Sequence, residues 1–241
     1  MAFALAGLMA AGVAITVVPI LHLFSRNSLA KALRLQRVVH YACRAFLRFL
    51  EFAGLFHFDV NDTRRLREPG VLVVANHPTL LDAIVLLAQM PQAYCVVKRN
   101  FHRNPFFAPP AAAAGYVASD DGLQMVNTCA AHLREGRSVI IFPEGTRSPV
   151  GELGPFERGP AHVVLRSNCK TVPVTIQTSP ATLYRGCHWW DVPNRPSTFR
   201  VRVGQFFEPG ASFEQKKSRT LAARSYTASL RDYFERELNL G

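Results

Sequence analysis

From residue 56 onward, short apolar runs alternate with longer stretches of helical character. The apolar runs are rich in β-branched and aromatic residues, as buried strands are. They comprise residues 56–60, 71–75, 93–98, 115–119, 138–142, 171–177 and 199–207. The helix-like stretches comprise residues 80–89, 122–135, 159–168 and 213–239. This alternation predicts an α/β fold in which a mostly parallel central sheet is flanked by helices.

The beginning of the chain has a different texture. Residues 2–24 carry no formal charge. As a helix they would reach about 34 Å, enough for a hydrocarbon core of about 30 Å. A signal peptide is the competing interpretation, but the apolar run starts at residue 2 and leaves no basic stretch before it. We therefore expect residues 2–24 to attach the chain to a membrane, either by spanning it or by inserting part-way.

A second expected helix, at residues 28–54, is basic and amphipathic. Its basic residues recur at steps of three, four and seven, which places them on one side of a helix; they are Lys31, Arg34, Arg37, Arg44 and Arg48. Such a helix can lie on an anionic bilayer, or it can be an ordinary surface helix of its own domain. These features divide the chain into membrane-attachment helices at 1–54 and a domain at 55–241. Because a basic flank stays cytoplasmic, that domain should face the cytoplasm, at the inner membrane if the protein is bacterial.

The charge balance favours a polyanionic partner. The chain has 28 Lys and Arg against 17 Asp and Glu, a formal net charge of +11. The sequence carries no zinc-finger spacing, RNP-like strand or heptad-linked basic region, so membrane lipids and phosphorylated substrates fit better than nucleic acid. The five cysteines are scattered and form no C-x-x-C pair. We therefore expect neither a metal site nor a disulfide framework.

A first block with chemical potential is Asn-His-Pro-Thr-Leu-Leu-Asp at residues 76–82. It places His77 five residues before Asp82, directly after a predicted strand. A histidine oriented by a carboxylate can take a proton from a hydroxyl near neutral pH. The alternative interpretation is that His77 is a turn residue before Pro78. In a parallel sheet, this block would lie at the carboxyl ends of the strands, where open α/β sheets build their sites.

A second block, Phe-Pro-Glu-Gly-Thr-Arg-Ser at residues 142–148, follows another predicted strand. It places Glu144 and Arg147 around Gly145. An arginine beside exposed backbone N–H groups suits an anionic substrate group. By itself the block is equally compatible with a glycine turn and a solvated arginine.

Together and in this order, the two blocks resemble those of the glycerolipid acyltransferases. This lysophospholipid acyltransferase family, typified by 1-acylglycerol-3-phosphate acyltransferase, carries an NHxxxxD block and a later FPEGTRS block. Residues 171–176, TVPVTI, are similar to the family's "VPV" strand, and residues 156–159, FERG, stand in the place of its "FKxG" segment. The resemblance covers roughly residues 55–205. It implies a membrane-bound O-acyltransferase that moves a fatty acyl group from a thioester to a hydroxyl of a lysolipid.

The expected roles in such an enzyme can be given residue by residue. His77 is the candidate general base and Asp82 orients it, without a Ser or Cys nucleophile, because the acceptor's own hydroxyl attacks. The resemblance implies that Glu144 and Arg147 help to bind the phosphate and glycerol of the acceptor. The further candidate substrate-binding residues are Asn76, Gly145, Thr146, Lys98 and Arg99. For the pair at 98–99, solvated surface charge is an equal alternative.

One segment departs from the family pattern. Residues 115–121, GYVASDD, end in two acids where the family carries an arginine that binds the acceptor's phosphate. We therefore expect an acceptor whose head group differs from plain glycerol 3-phosphate, unless the acids simply cap the helix that begins near Gly122.

The expected co-substrate is acyl-CoA or an acyl-carrier protein, with no cofactor. Membrane lipids are the other expected partners, and the sequence leaves the oligomeric state open. The alternative function is a non-catalytic lipid- or membrane-binding module on the same fold.

Overall fold

The computed structural model of this protein describes residues 27–98, 108–188, 193–207 and 218–239, together with the single positions 12, 16 and 191. The predicted apolar helix at 2–24, apart from positions 12 and 16, lies outside the described residues, as does Arg99.

A mostly parallel sheet forms the centre of the described part of the chain. Its strands are β1 (Phe56–Asn61), β2 (Leu72–Ala75), β3 (Tyr94–Val97), β4 (Val117–Ala118), β5 (Val139–Ile141), β6 (Thr171–Ser179) and β7 (Ser197–Val203). The spatial order is β1-β7-β6-β2-β5-β3-β4, and every neighbouring pair is parallel except β6 with β7. The predicted α/β fold with a mostly parallel sheet is confirmed.

Helices cover both faces of this sheet. They are α1 (Ser28–Phe52), α2 (Asp82–Gln89), α3 (Ala108–Ala113), α4 (Gly122–Arg134), α5 (Gly159–Ser167) and α6 (Arg219–Glu237). The sequence pattern predicts all of these except α3, which begins Ala-Pro-Pro. Proline is tolerated there because the N–H groups of a first turn have no partner within the helix.

The core consists of two apolar clusters, one on each face of the sheet. The residues of β2 alternate between them, with Val73 and Ala75 on one face and Leu72 and Val74 on the other. Helices α1 and α2 cover the first face, and α4, α5 and α6 cover the second. All of β2 is buried, as expected of a central parallel strand. Because the core holds β2 on both faces, the carboxyl end of this strand has a fixed position near the middle of the sheet.

The predicted basic amphipathic helix at 28–54 corresponds to α1. Asn27 caps it by accepting from the N–H groups of Leu29 and Ala30. One face of α1 is buried in the core through Leu35 and Leu50. The opposite face is exposed and both basic and aromatic; it comprises Arg34, Arg37, Tyr41, Arg44, Arg48, Phe49 and Phe52.

The helix thus packs on its own domain and turns its basic stripe outward. None of the helices in the described ranges is both long and apolar enough to cross a bilayer.

Candidate active site

The site begins where β2 ends. The loop between β2 and α2 is short, so His77 at its start faces Asp82 at the first position of α2. The Nδ1 atom of His77 lies 2.8 Å from Oδ2 of Asp82. An acid in the first turn of a helix is also favoured by the helix dipole. The structure therefore brings together the two predicted catalytic side chains in the predicted geometry.

Asp82 is fully buried, and both of its carboxylate oxygens accept hydrogen bonds. Besides His77, it accepts from the backbone N–H of Thr79 at 2.8 Å and from the Thr79 hydroxyl at 2.5 Å. Burial raises the pKa of the Asp82 carboxyl, and the hydrogen bonds from His77 and Thr79 oppose that shift. Thr79 thus supports the carboxylate directly, through both its backbone N–H and its hydroxyl.

The His77 ring is held in one orientation. Because the Asp82 carboxylate can only accept, Nδ1 carries the proton of that hydrogen bond, and Nε2 is left with a free lone pair. The ring stacks on Phe142, with centroids 4.5 Å apart and planes 29° apart. Its side chain is 22 % exposed. The outer nitrogen of the ring is therefore the one available to a substrate.

The second block follows β5 and is tied to the first through the backbone of His77. Glu144 is buried, and its Oε1 accepts from the His77 N–H at 2.9 Å. Its Oε2 accepts from the Ser148 hydroxyl at 2.5 Å and from the Gly154 N–H at 2.8 Å. The Ser148 N–H in turn donates to the His77 carbonyl at 2.8 Å. The two sequence blocks are thus one hydrogen-bonded unit around His77.

Two of the predicted substrate-binding residues are buried, with their side chains hydrogen-bonded within the fold. Asn76 is buried and pairs with the backbone of Ile176, donating to its carbonyl at 2.9 Å and accepting from its N–H at 2.7 Å. Glu144 has the three donors described above. That either contacts substrate stays a prediction, and the contacts give both a definite place in the architecture.

The other predicted residues that the structure describes lie along the same edge of the sheet. Gly145 is exposed and has φ +62°, a backbone conformation that favours glycine. Thr146 next to it is half-buried. Arg147 is half-buried and donates through Nη1 to the carbonyls of Leu183 and Tyr184. Lys98 is exposed just beyond the carboxyl end of β3.

A groove with a cavity volume of about 630 Å³ adjoins the site through Phe142 and Gly145. Its apolar lining includes Val96, Met125, Val126 and Ile141. Its charged lining comprises Asp120, Glu157, Arg158, Arg166 and Arg219.

The sequence analysis missed the arginines of this groove. They belong to α5, to the residue before it and to α6, and only the folded sheet brings those helices to the site. Arg158 lies in the FERG segment quoted above, which was the available signal.

Comparison with known proteins identifies the class of the molecule. The Acyltransferase family model matches residues 57–177, about half of the chain, and this range contains both blocks. The chain belongs to the acyltransferase family.

Particular relatives within that family are named for one activity. The chain is 29 % identical to human 1-acyl-sn-glycerol-3-phosphate acyltransferase beta over 147 residues, 54 % of this chain and 49 % of that protein. It is 30 % identical to the Helicobacter pylori 1-acyl-sn-glycerol-3-phosphate acyltransferase over 115 residues, 45 % of this chain and 48 % of that protein. The matched regions thus span about half the length of these relatives.

Among solved structures, the fold is similar to that of the 1-acyl-sn-glycerophosphate acyltransferase from Thermotoga maritima. The TM-score is 0.70 at 16 % identity, and the superposition covers 98 % of this chain and 95 % of that one. This similarity confirms the fold.

Proposed function

We propose that this protein is an O-acyltransferase that transfers a fatty acyl group from a thioester to a hydroxyl of a lysophospholipid or related lysolipid. The observation that carries the proposal is the 2.8 Å contact between His77 and the buried Asp82, inside a chain of the acyltransferase family. A base oriented in this way serves a reaction in which a hydroxyl must lose its proton.

The proposed chemistry is a direct transfer. The acceptor oxygen attacks the thioester carbonyl while its proton passes to Nε2 of His77, and the Asp82 carboxylate stabilises the imidazolium that forms. When the C–S bond breaks, the thiolate leaves and takes the proton from the imidazolium. Ester and thiol are then the products, and the base is regenerated.

Three of the five cysteines are poorly suited to act as a nucleophile. Burial raises the pKa of the thiols of Cys43, Cys95 and Cys129 to about 12. Because the thiolate is the reactive form, these groups are poor nucleophiles at neutral pH. They serve better as small apolar core residues.

The groove beside Phe142 suits the two substrates. Its apolar lining can hold hydrocarbon, and its arginines can hold phosphate. We propose acyl-CoA or an acyl-carrier protein as the donor, with Lys98 and Arg99 available to its phosphate groups. The deciding experiment is incubation of the detergent-purified protein with labelled acyl thioester and a panel of lysolipids. Lipid binding without any labelled product would instead favour a non-catalytic module.

The acceptor should carry more than a bare phosphate. The rim of the groove presents the carboxylates Asp120 and Glu157 near its arginines, so charges of both signs meet the head group. We expect the specificity constant for lysophosphatidate to exceed that for zwitterionic or amino-acid lysolipids by less than tenfold, or about 1.4 kcal/mol. Replacing Asp120 by arginine should shift the preference toward lysophosphatidate, since a carboxylate repels a phosphate.

The control for this comparison is Asp232→Arg, which makes the same charge change on an exposed residue of α6. It should leave the preference unaltered. A wild-type preference for lysophosphatidate of tenfold or more would show that Asp120 is structural and would contradict the prediction.

We also propose that the protein is attached to the cytoplasmic face of a membrane through two segments of different character. Deleting residues 1–25 should release part of the protein from membranes, and high salt should remove most of the rest. The reason is that attraction between the arginines of α1 and anionic lipids is screened beyond about 8 Å at physiological salt. Sedimentation with vesicles containing anionic lipid, with and without salt, measures both effects.

The matched variants for the salt-sensitive part are Arg37→Glu with Arg44→Glu on α1 and, as control, Arg224→Glu on α6. All three arginines are exposed. Only the α1 pair should weaken binding of the truncated protein. If the intact chain stays in solution without detergent and does not bind vesicles, the proposal is overturned for both segments.

A further inference from the structure

We infer that Arg231, on the C-terminal helix α6, is a positioning residue for the His77 base and acts through Gly154 and Glu144. This inference rests on the proposed function, and it assigns a role in catalysis to residues outside both sequence blocks. It begins with the backbone of His77. The N–H of His77 is held by Glu144 and its carbonyl by the N–H of Ser148. The side chain is fixed separately by Asp82, so the position of Nε2 depends on how firmly this backbone is held.

The next step is what holds Glu144. Its carboxylate is buried, and each of its three donors is a neutral group. None of the ion pairs between described residues involves Glu144. A buried carboxylate without a cation relies on its hydrogen bonds, so loss of one donor leaves it under-solvated and free to shift. One of those donors is the N–H of Gly154.

Any side chain at residue 154 would force the Glu144 carboxylate to move. A Cβ atom built at this position would lie 2.6 Å from Oε2 of Glu144 and 3.5 Å from its Cγ and Cδ atoms. The backbone of residue 154 therefore approaches the carboxylate more closely than any side-chain-bearing residue allows. Displacement of residue 154 is transmitted directly to Glu144.

The last step is Arg231, which fixes the 153–154 segment from the other side. Its Nη1 donates to the Gly154 carbonyl at 2.7 Å and its Nη2 to the Leu153 carbonyl at 3.4 Å. Its Nε donates to Glu235 one turn further along α6, at 2.8 Å. The guanidinium is thus held in one plane with its fork directed at two successive carbonyls.

The helix that presents Arg231 is itself firmly packed. Leu230 and Phe234, its neighbours on α6, are buried in the core, and Phe234 meets Phe156 edge to face at a centroid distance of 5.5 Å. A continuous path of contacts therefore runs from the core of α6 through Gly154 and Glu144 to His77. A misplacement of the base by about 1 Å can lower the rate by about 10²-fold, so a hydrogen bond lost at Arg231 should be visible in turnover.

The test replaces Arg231 by methionine and by lysine in the full-length, detergent-purified protein. Arg231→Met should lower kcat by about 10–100-fold and leave the KM for the acceptor within about threefold, because the substrate contacts remain. Arg231→Lys keeps a donor for one carbonyl and should recover part of the loss. Gly154→Ala, which disturbs Glu144 directly through the added Cβ atom, should also lower kcat. The control is Arg224→Met on an exposed turn of the same helix.

A readout that does not depend on activity is the NMR signal of the His77 proton bonded to Asp82. It should shift or broaden in Arg231→Met and in Gly154→Ala and stay in place in Arg224→Met. If the wild type transfers acyl groups but Arg231→Met keeps kcat within threefold and an unaltered proton signal, the positioning role is overturned and the proposed function stands. If the wild type transfers none, the proposed function fails, and the proton signal alone decides the role of Arg231. Should Arg231→Met not fold, Arg231→Lys and Gly154→Ala carry the same two readouts.

Discussion

Replacing His77 by alanine should lower acyl transfer by about 10²–10⁴-fold while the protein remains folded. In the proposed mechanism the imidazole receives the hydroxyl proton, and its only polar side-chain partner among the described residues is Asp82. Initial rates with a saturating acyl donor measure the loss, and the thermal transition reports the fold. The matched control is His57→Ala, since the side chain of His57 is 69 % exposed on β1, away from the site. A His77→Ala protein that retained more than about a tenth of the activity would exclude His77 as the base.

We expect Asp82→Asn to lower acyl transfer as well. An amide of the same shape has no charge to stabilise an imidazolium and can favour the wrong tautomer of His77, so most of the activity should be lost here too. The pH profile adds a second measurement. Activity should fall as the pH drops, because burial raises the pKa of the Asp82 carboxyl and its protonation removes the charge that stabilises the imidazolium.

Asp82→Asn should not lower the stability of the fold, although it lowers activity. Burial raises the pKa of Asp82 in the folded state, so the folded protein binds this proton more readily than the unfolded chain does. The resulting stabilisation is present at low pH and is lost as the pH rises through the raised pKa. At neutral pH the ionised carboxylate therefore opposes folding, and a neutral amide should not lower the melting temperature. If Asp82→Asn is less active but equally stable, the Asp82 carboxylate serves catalysis and is not needed for stability.

Replacing Asn76 by leucine should lower the free energy of unfolding by about 2–6 kcal/mol. The Asn76 amide satisfies both the N–H and the carbonyl of Ile176 on β6, just beyond the last paired residues of β2 and β6. Leucine of similar size would leave both backbone groups buried and unpaired, at about 1–3 kcal/mol each. Urea unfolding followed by tryptophan fluorescence measures the change.

The comparison variant is Asn61→Leu, at the exposed end of β1. It should alter stability by less than about 0.5 kcal/mol. If Asn76→Leu instead kept full stability and raised the KM for the acceptor tenfold, Asn76 would be a substrate-binding residue, as the sequence analysis expects, and its pairing with Ile176 would be of minor weight.

Local sequence signals predicted the strands and the long helices because β-branched runs and amphipathic periods report burial directly. The contact between His77 and Asp82 was predictable for a related reason, since six residues between a strand and a helix leave few other arrangements. The pairing of Asn76 with Ile176 and that of Glu144 with the His77 N–H were not predictable, because these partners lie 100 and 67 residues apart along the chain. Helix α3 was missed because its prolines, read without knowledge of where the helix begins, argue against one.

The joining of the two blocks at His77 has a practical consequence for the exchange of parts between relatives. A chimaera could take residues 76–82 from one acyltransferase and residues 142–154 from another. The second segment would then have to bind a His77 loop other than its own, although it hydrogen-bonds both backbone groups of His77 and its Glu144 also accepts from the Gly154 N–H. Libraries that shuffle the family should therefore keep these segments as a single inheritable unit. A pair of crossovers, one in β3 and one in α4, would exchange only the stretch between them, so both segments would keep the same parent while part of the groove lining varies.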